Sequence, residues 1–220
     1  MSDFKDLYKE IKCAIFDLDG TLIKSIGAWR DVDEKFMTKR NLPIPEDFYE
    51  KVKVMNFPQA ADYVINECGV TDTKEAVMEE WLDMIHHEYA EVVDMVEGAK
   101  EFLQRLHQNG VKIALATASR EELYKPCLER HGVYDLFDAF VTTDEVARKK
   151  GFPDVYLLAA ERCGAKPEEC AVFEDIYLGC VGAKAGNMYT IGILEEHSKP
   201  DWEKIKETAD ETWADYRHLL

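Results

Sequence analysis

The chain is short of basic residues. Its 27 lysines and arginines face 44 aspartates and glutamates in 220 residues, a net charge of −17. So acidic a chain repels phosphodiester backbones and anionic lipid, which argues against nucleic-acid and membrane partners. Long apolar runs are also missing. None approaches the roughly 18 residues that a membrane span requires, and the opening MSDFKDLYKEIK is too charged for the apolar core of a secretory signal. A cytoplasmic location is therefore expected. The six cysteines, Cys13, Cys68, Cys127, Cys163, Cys170 and Cys180, include no CxxC pair. Without that spacing a zinc or disulfide framework is disfavoured, and reduced, buried thiols are expected. His86 and His87 are adjacent, but neighbours on a helix do not share a face; a solvated helix surface is expected there. Internal repeats and low-complexity tracts are absent as well.

What is present begins with FDLDGTL at 16–22. The apolar run 13–16 reads as a strand, and it ends on two carboxylates, Asp17 and Asp19, followed by turn-forming Gly20 and Thr21. From about residue 25 to 94 the texture is helical: breaks fall at NLPIPED and NFPQ, and 71–93 carries Val77, Trp81, Met84, Ile85 and Tyr89 at helical spacing. After VEGAK the pattern changes to alternating helix and strand. AKEFLQRLHQNG is a helix, VKIALAT a strand, EELYKPCLERHG a helix kinked or divided by Pro126, and AFVTT a strand. PDVYLLAAERCG is a helix, CAVFED a strand, GCVGAKAG a small-residue helix and MYTIGI a strand, with the final DETWADYRHLL packed on the sheet edge. Such alternation predicts right-handed crossovers and a mostly parallel sheet. The expected architecture is an α/β core over 1–24 and 95–220, with an all-helical cap over 25–94 placed as a lid where strand ends deliver a site.

Those strand ends deliver chemically coherent groups. The first brings Asp17 and Asp19; IALATASR brings the Thr117 hydroxyl and the Ala118 and Ser119 amides; AVFED brings Glu174 and Asp175; and ARKKG holds Arg148, Lys149 and Lys150. Carboxylates from two strands suit Mg²⁺, a hard cation that takes oxygen ligands. Asp17, Glu174 and Asp175 are the candidate side-chain ligands, with the main-chain carbonyl of Asp19 as another. Asp17 is the candidate nucleophile toward phosphorus, and Asp19 the acid that protonates the leaving oxygen and later deprotonates water. Thr117 and Lys150 would stabilise the equatorial oxygens. Gly20, Thr21, Ala118 and Ser119 complete the expected substrate-binding set.

In these motifs the sequence resembles the haloacid dehalogenase-like superfamily, in the branch with a helical cap after the first motif. DLDGTL, LATAS, KKGFPDVYLLAAERCG and CAVFEDIYLGCVGAKAGNM follow its four motifs in order. The resemblance implies a Rossmann-like core, a mobile cap and a Mg²⁺-dependent aspartyl-phosphate mechanism acting on a small phosphorylated metabolite. It departs from the common pattern at Gly151, where a proline is usual, and at Lys24, where an acid is usual. Lys149 lies next to Lys150, and Lys24 reads equally as a substrate-facing cation or a surface charge. A phosphatase is the leading expectation. A sugar phosphomutase resembling β-phosphoglucomutase is the alternative, although its cap has a histidine at the position of Trp29 and an arginine at that of Phe57; Lys53 is a remaining candidate contact. A non-catalytic binding protein would have lost Asp17 or Asp19, and both are present. Trp29, Phe57 and Trp81 either face the site or form the cap's own core.

Overall fold

A computed structural model describes residues 11–52, 55 and 57–217. Expectations that fall on residues 1–10, on Lys53 and on 218–220 lie outside the described residues. The chain packs as two compact units, one of them Gly27–Val92 and the other made of the residues that precede and follow it.

In the discontinuous unit, β1 (Cys13–Phe16) is wholly buried, as an apolar strand covered by helices on both faces must be. Every described secondary-structure element of the inserted unit is a helix. It holds α1 (Ala28–Lys39), α2 (Phe48–Val52), α3 (Phe57–Glu67) and α4 (Lys74–His87), and α4 passes into a π-helical turn at Glu88–Val92. The Thr73 hydroxyl caps α4 by accepting from the Ala76 amide at 3.3 Å. Phe36, Val64, Val77, Trp81 and Ile85 are buried among these helices. His86 departs from expectation. Its Nε2 is buried without a hydrogen-bond partner, because the covered stripe of α4 widens at its end to take in Ile85, Glu88 and Tyr89. Glu88 is paired there with Lys35.

The chain then alternates through α5 (Ala99–Gln108), β2 (Lys112–Thr117), α6 (Glu121–Arg130), β3 (Ala139–Thr142), α7 (Asp154–Arg162), β4 (Cys170–Glu174), α8 (Tyr177–Ala185), β5 (Tyr189–Ile193), α9 (Trp202–Thr208) and β6 (Glu211–Trp213). The six strands pair in the order 3-2-1-4-5-6, every neighbouring pair parallel. This is the doubly wound order, with the strand order reversing at β1 and β4. The closing segment is thus a strand and not merely an edge cover. Pro126 does not divide α6, which runs through it. The carbonyl it leaves unpaired belongs to exposed Glu122, where water can serve in place of the missing N–H.

The two faces of the sheet are packed differently. On one, Phe16 stacks on Phe173 with ring centroids 4.4 Å apart, and Phe102, Trp213 and Tyr216 close around them. On the other, Cys13 and Ile15 meet small residues, Ala114, Ala116, Ala159 and Ala183, which let the helices lie close to the strands.

Candidate active site

The carboxyl ends of β1 and β4 meet in register, with Phe16 opposite Phe173. The next residues, Asp17 on one side and Glu174 and Asp175 on the other, are therefore neighbours. All three are buried, and each offers an oxygen within 4.8 Å of the others. Lys150 reaches in from the loop before α7, ion-pairing with Asp17 and with Glu174 Oε1 at 2.5 Å. The Tyr156 hydroxyl donates to the same Glu174 oxygen at 2.7 Å. Gly179 on α8 makes room for this carboxylate: a Cβ there would lie 2.2 Å from the Glu174 carboxyl carbon.

Burial pushes the Asp17 carboxyl well above its ordinary range, Lys150 opposes this, and Glu174 and Asp175 add to it. Asp175 is pushed up to about 7 by burial and by Glu174, against Lys150 and the Thr21 hydroxyl. Burial acts to lower the Lys150 pKa, but Asp17 and Glu174 outweigh it and the ammonium is raised. Three buried carboxylates thus share one buried ammonium. A divalent cation fits this donor set, since it supplies the missing positive charge to an all-oxygen cluster.

Asp19 lies in a different setting. The chain turns back immediately after it: the Leu18 carbonyl accepts from Leu22 and Ile23, and Gly20, at φ +83°, donates to Ile23. A side chain at Gly20 would also strike Asp175 Oδ2, 2.6 Å from the position of its Cβ. Two hydroxyls grip the Asp19 carboxylate, Ser25 at 2.5 Å and Ser119 at 2.6 Å. One carboxylate is embedded in charge and the other held by neutral donors, which equips two acids two residues apart for different tasks.

Among the other expected residues, Thr117 ends β2 fully buried, its Oγ1 accepting from the Ser119 amide at 3.0 Å. Ala118 is exposed at the same strand end. Gly20 and Thr21 spend their amides on the main-chain carbonyls of Ile23 and Leu18, and the Thr21 hydroxyl donates to Asp175 at 3.2 Å. The Thr21 hydroxyl thus supports Asp175, and both amides are engaged within the turn. Lys149 is exposed, so the inward lysine is Lys150. Lys24 pairs with Glu97, which accounts for it as a surface charge. In the inserted unit Trp29 meets Phe57 edge-on at 5.8 Å, Phe57 meets Trp81 at 5.7 Å, and Trp81 meets Phe36 at 5.2 Å. Trp81 is core, while Trp29 is 40% exposed.

Sequence reasoning missed Ser25, Tyr156 and Ser198, whose hydroxyl donates to Asp175 at 3.3 Å. Ser25 closes the DGTLIKS stretch and was open to notice as a local donor. Tyr156 carried no signal, because its place on an amphipathic helix suits any large apolar residue.

The comparisons with known proteins agree with this geometry. The family model described as haloacid dehalogenase-like hydrolase matches residues 11–187. The validoxylamine A 7'-phosphate phosphatase of Streptomyces hygroscopicus subsp. limoneus is 29% identical over 192 residues, covering 84% of this chain and 87% of that protein. The β-phosphoglucomutase of Bacillus subtilis is 25% identical over 226 residues, covering 94% and 97%. A solved structure from Thermotoga maritima superposes with a TM-score of 0.80 at 23% identity, covering 92% of this chain and 94% of that one. The chain belongs to the haloacid dehalogenase-like hydrolase family.

Proposed function

We propose that the protein is a Mg²⁺-dependent phosphatase that hydrolyses the phosphomonoester of a small metabolite, a phosphorylated sugar or a similar polyol, through a phosphoaspartate on Asp17. The observation that carries this reading is the buried cluster of Asp17, Glu174 and Asp175 around Lys150, with Asp19 held apart from it by Ser25 and Ser119.

Asp17, Glu174 and Asp175, with the Asp19 main-chain carbonyl, are the groups that would hold Mg²⁺; when bound, it neutralises phosphate charge and makes phosphorus more open to attack. Asp17 attacks phosphorus in line with the ester oxygen. The P–O ester bond breaks as Asp19 gives its proton to the departing alcohol. Asp19, now a carboxylate, takes a proton from water. That water attacks the phosphoaspartate, releasing inorganic phosphate and restoring Asp17. Lys150 balances the charge on the phosphoryl oxygens, the Thr117 hydroxyl and the Ala118 amide donate to them, and Tyr156 fixes Glu174.

The related phosphatase acts, by its name, on a 7'-phosphate of validoxylamine A, which supports an ester on a sugar-like scaffold. The mutase alternative is less well supported. Trp29 and Phe57 form an aromatic pair at the two positions where the mutase-type cap carries phosphate-binding side chains.

The test is phosphate release from a panel of sugar phosphates, nucleotides, phosphoglycolate and phosphorylated cofactors, with Mg²⁺ and with EDTA, beside Asp17→Asn. Release that needs Mg²⁺ and disappears in the variant is expected. Release that survives Asp17→Asn overturns the nucleophile assignment, and isomerisation of a hexose 1-phosphate without release turns the reading to the mutase.

A further inference from the structure

Of the three clustered carboxylates, Asp175 is held differently from the other two. Lys150 pairs with Asp17 and Glu174, and among the described residues no salt bridge reaches Asp175. Its side-chain partners are two neutral hydroxyls, one on each oxygen. Thr21 donates to Oδ1 at 3.2 Å and Ser198 to Oδ2 at 3.3 Å. Thr21 belongs to the turn of the first motif. Ser198 lies outside all four motifs and beyond residue 187, where the family match ends.

Ser198 comes from the loop after β5. Gly192 of that strand is the register partner of Glu174, so the chain leaving β5 starts beside Asp175. The loop is folded around Glu195. Its carboxylate accepts from the His197 amide at 2.5 Å and the Ser198 amide at 3.3 Å, and lies 3.1 Å from His197 Nδ1. Its main-chain carbonyl accepts from the Ser198 amide at 3.2 Å. Glu195 also rests against the first-motif turn, since a Cβ on Gly20 would lie 3.0 Å from its Cγ. Ser198 then stands just before a single 3₁₀ turn, Lys199–Asp201, where a serine hydroxyl ordinarily bends inward to cap the helix end. It makes no such bond here. Glu195 does the local work, and the hydroxyl is left for Asp175, 23 residues back.

We propose that Ser198, aimed by Glu195, is a positioning residue that sets how tightly the acidic cluster takes Mg²⁺, which rests on the reading of Asp175 as a metal ligand given above. Like charges on Asp17 and Glu174 favour turning the Asp175 carboxylate away from the cluster. Thr21 fixes one of its oxygens and leaves the group free to swing about that point. Ser198 on the second oxygen fixes the plane of the carboxylate. The group is thereby oriented before a cation arrives, so less ordering is left for binding to supply. The loop after β5 thus acts on the site without touching substrate or the reacting atoms.

The full chain and its variants are titrated with Mg²⁺ by isothermal calorimetry, with metal-free melting curves taken alongside. Ser198→Ala should bind Mg²⁺ roughly 10-fold more weakly, with a metal-free melting point within a few degrees of wild type. Ser198→Thr, which keeps the hydroxyl, should restore most of the affinity. Glu195→Ala should show a similar loss, and the double variant should lose no more than either alone, because both act through one hydrogen bond. Wild-type affinity in Ser198→Ala, equal losses in the alanine and threonine variants, or losses that add in the double variant overturn the proposal and leave the metal site standing. A wild-type protein that takes up no Mg²⁺ overturns the metal site and the proposal with it. Should Glu195→Ala fail to fold, the comparison of alanine with threonine at Ser198 decides alone.

Discussion

Gly179→Ala isolates one contact of the candidate site. The added methyl would sit 2.2 Å from the Glu174 carboxyl carbon and 2.4 and 2.5 Å from its oxygens, where about 3.4 Å is the least comfortable approach. A flexible carboxylate would swing away at little cost, but this one is fully buried and held by Lys150 and Tyr156. Moving it sacrifices at least one hydrogen bond to a charged group, about 1.5–3 kcal/mol. The helix meanwhile gains about 1 kcal/mol from replacing glycine, so stability changes little while the carboxylate is displaced. Isothermal titration with Mg²⁺ should show affinity reduced roughly 10- to 100-fold, the factor that about 2 kcal/mol implies. Metal-dependent phosphate release should fall in parallel, and melting should shift by only a few degrees. Wild-type Mg²⁺ affinity and turnover in a folded Gly179→Ala protein would refute the claim that Glu174 is held in place and needed there.

Other perturbations reach different parts of the molecule. Lys150→Met removes the ammonium that three buried carboxylates share, so the metal-free protein should lose about 3–5 kcal/mol of stability; thermal melts should show Mg²⁺ restoring more stability to the variant than to the wild type, and equal gains would count against the charge argument. Asp33 is pushed up to about 7 by burial and by Glu34, so the folded state holds its proton more tightly than the unfolded chain does. Stability should therefore fall as pH rises from about 4 to about 7, and Asp33→Asn should flatten that slope and gain on the order of 2 kcal/mol at pH 8, once solvent screening of a half-buried group is allowed for; urea melts across pH read both. Gly27 has an ordinary helical backbone, and a Cβ placed on it would meet nothing within 4 Å. It should accept alanine with a melting point at or above wild type, by about 0.5 kcal/mol.

Much of the core was legible because its strands carry unambiguous local signals. CAIF and CAVFE are apolar without alternation, which only strands covered on both faces tolerate, and the acids that end them fall at the point where the strand order reverses. The lysine was not decidable from sequence, since Lys149 and Lys150 are neighbours; in the structure Lys149 is exposed and Lys150 pairs with Asp17 and Glu174. Thr21 stands in the first motif as a candidate substrate contact; its hydroxyl donates to Asp175, a pairing across 154 residues that no local pattern encodes. Tyr156 escaped because its type suits the core equally well, whereas Ser25, six residues from Asp19, was within reach of a local reading. His86 was misjudged because helical periodicity describes the middle of a helix better than its end. Five of the parallel strands follow from the alternation of elements, but three-residue β6 is too short to announce itself.

The last described turn of the chain touches its first motif. The Tyr216 hydroxyl donates to the Thr21 carbonyl at 3.1 Å, and its amide donates to Glu97. Tyr216 also packs with Phe16 and Phe173 beneath the acidic strand ends. During synthesis, then, the DLDGTL turn waits for a residue 195 positions further on before its backbone is secured. A nascent chain is consequently spared a finished acidic pocket until Tyr216 has been made, and a product cut short before Tyr216 would carry every motif residue without the clasp that holds their turn in shape.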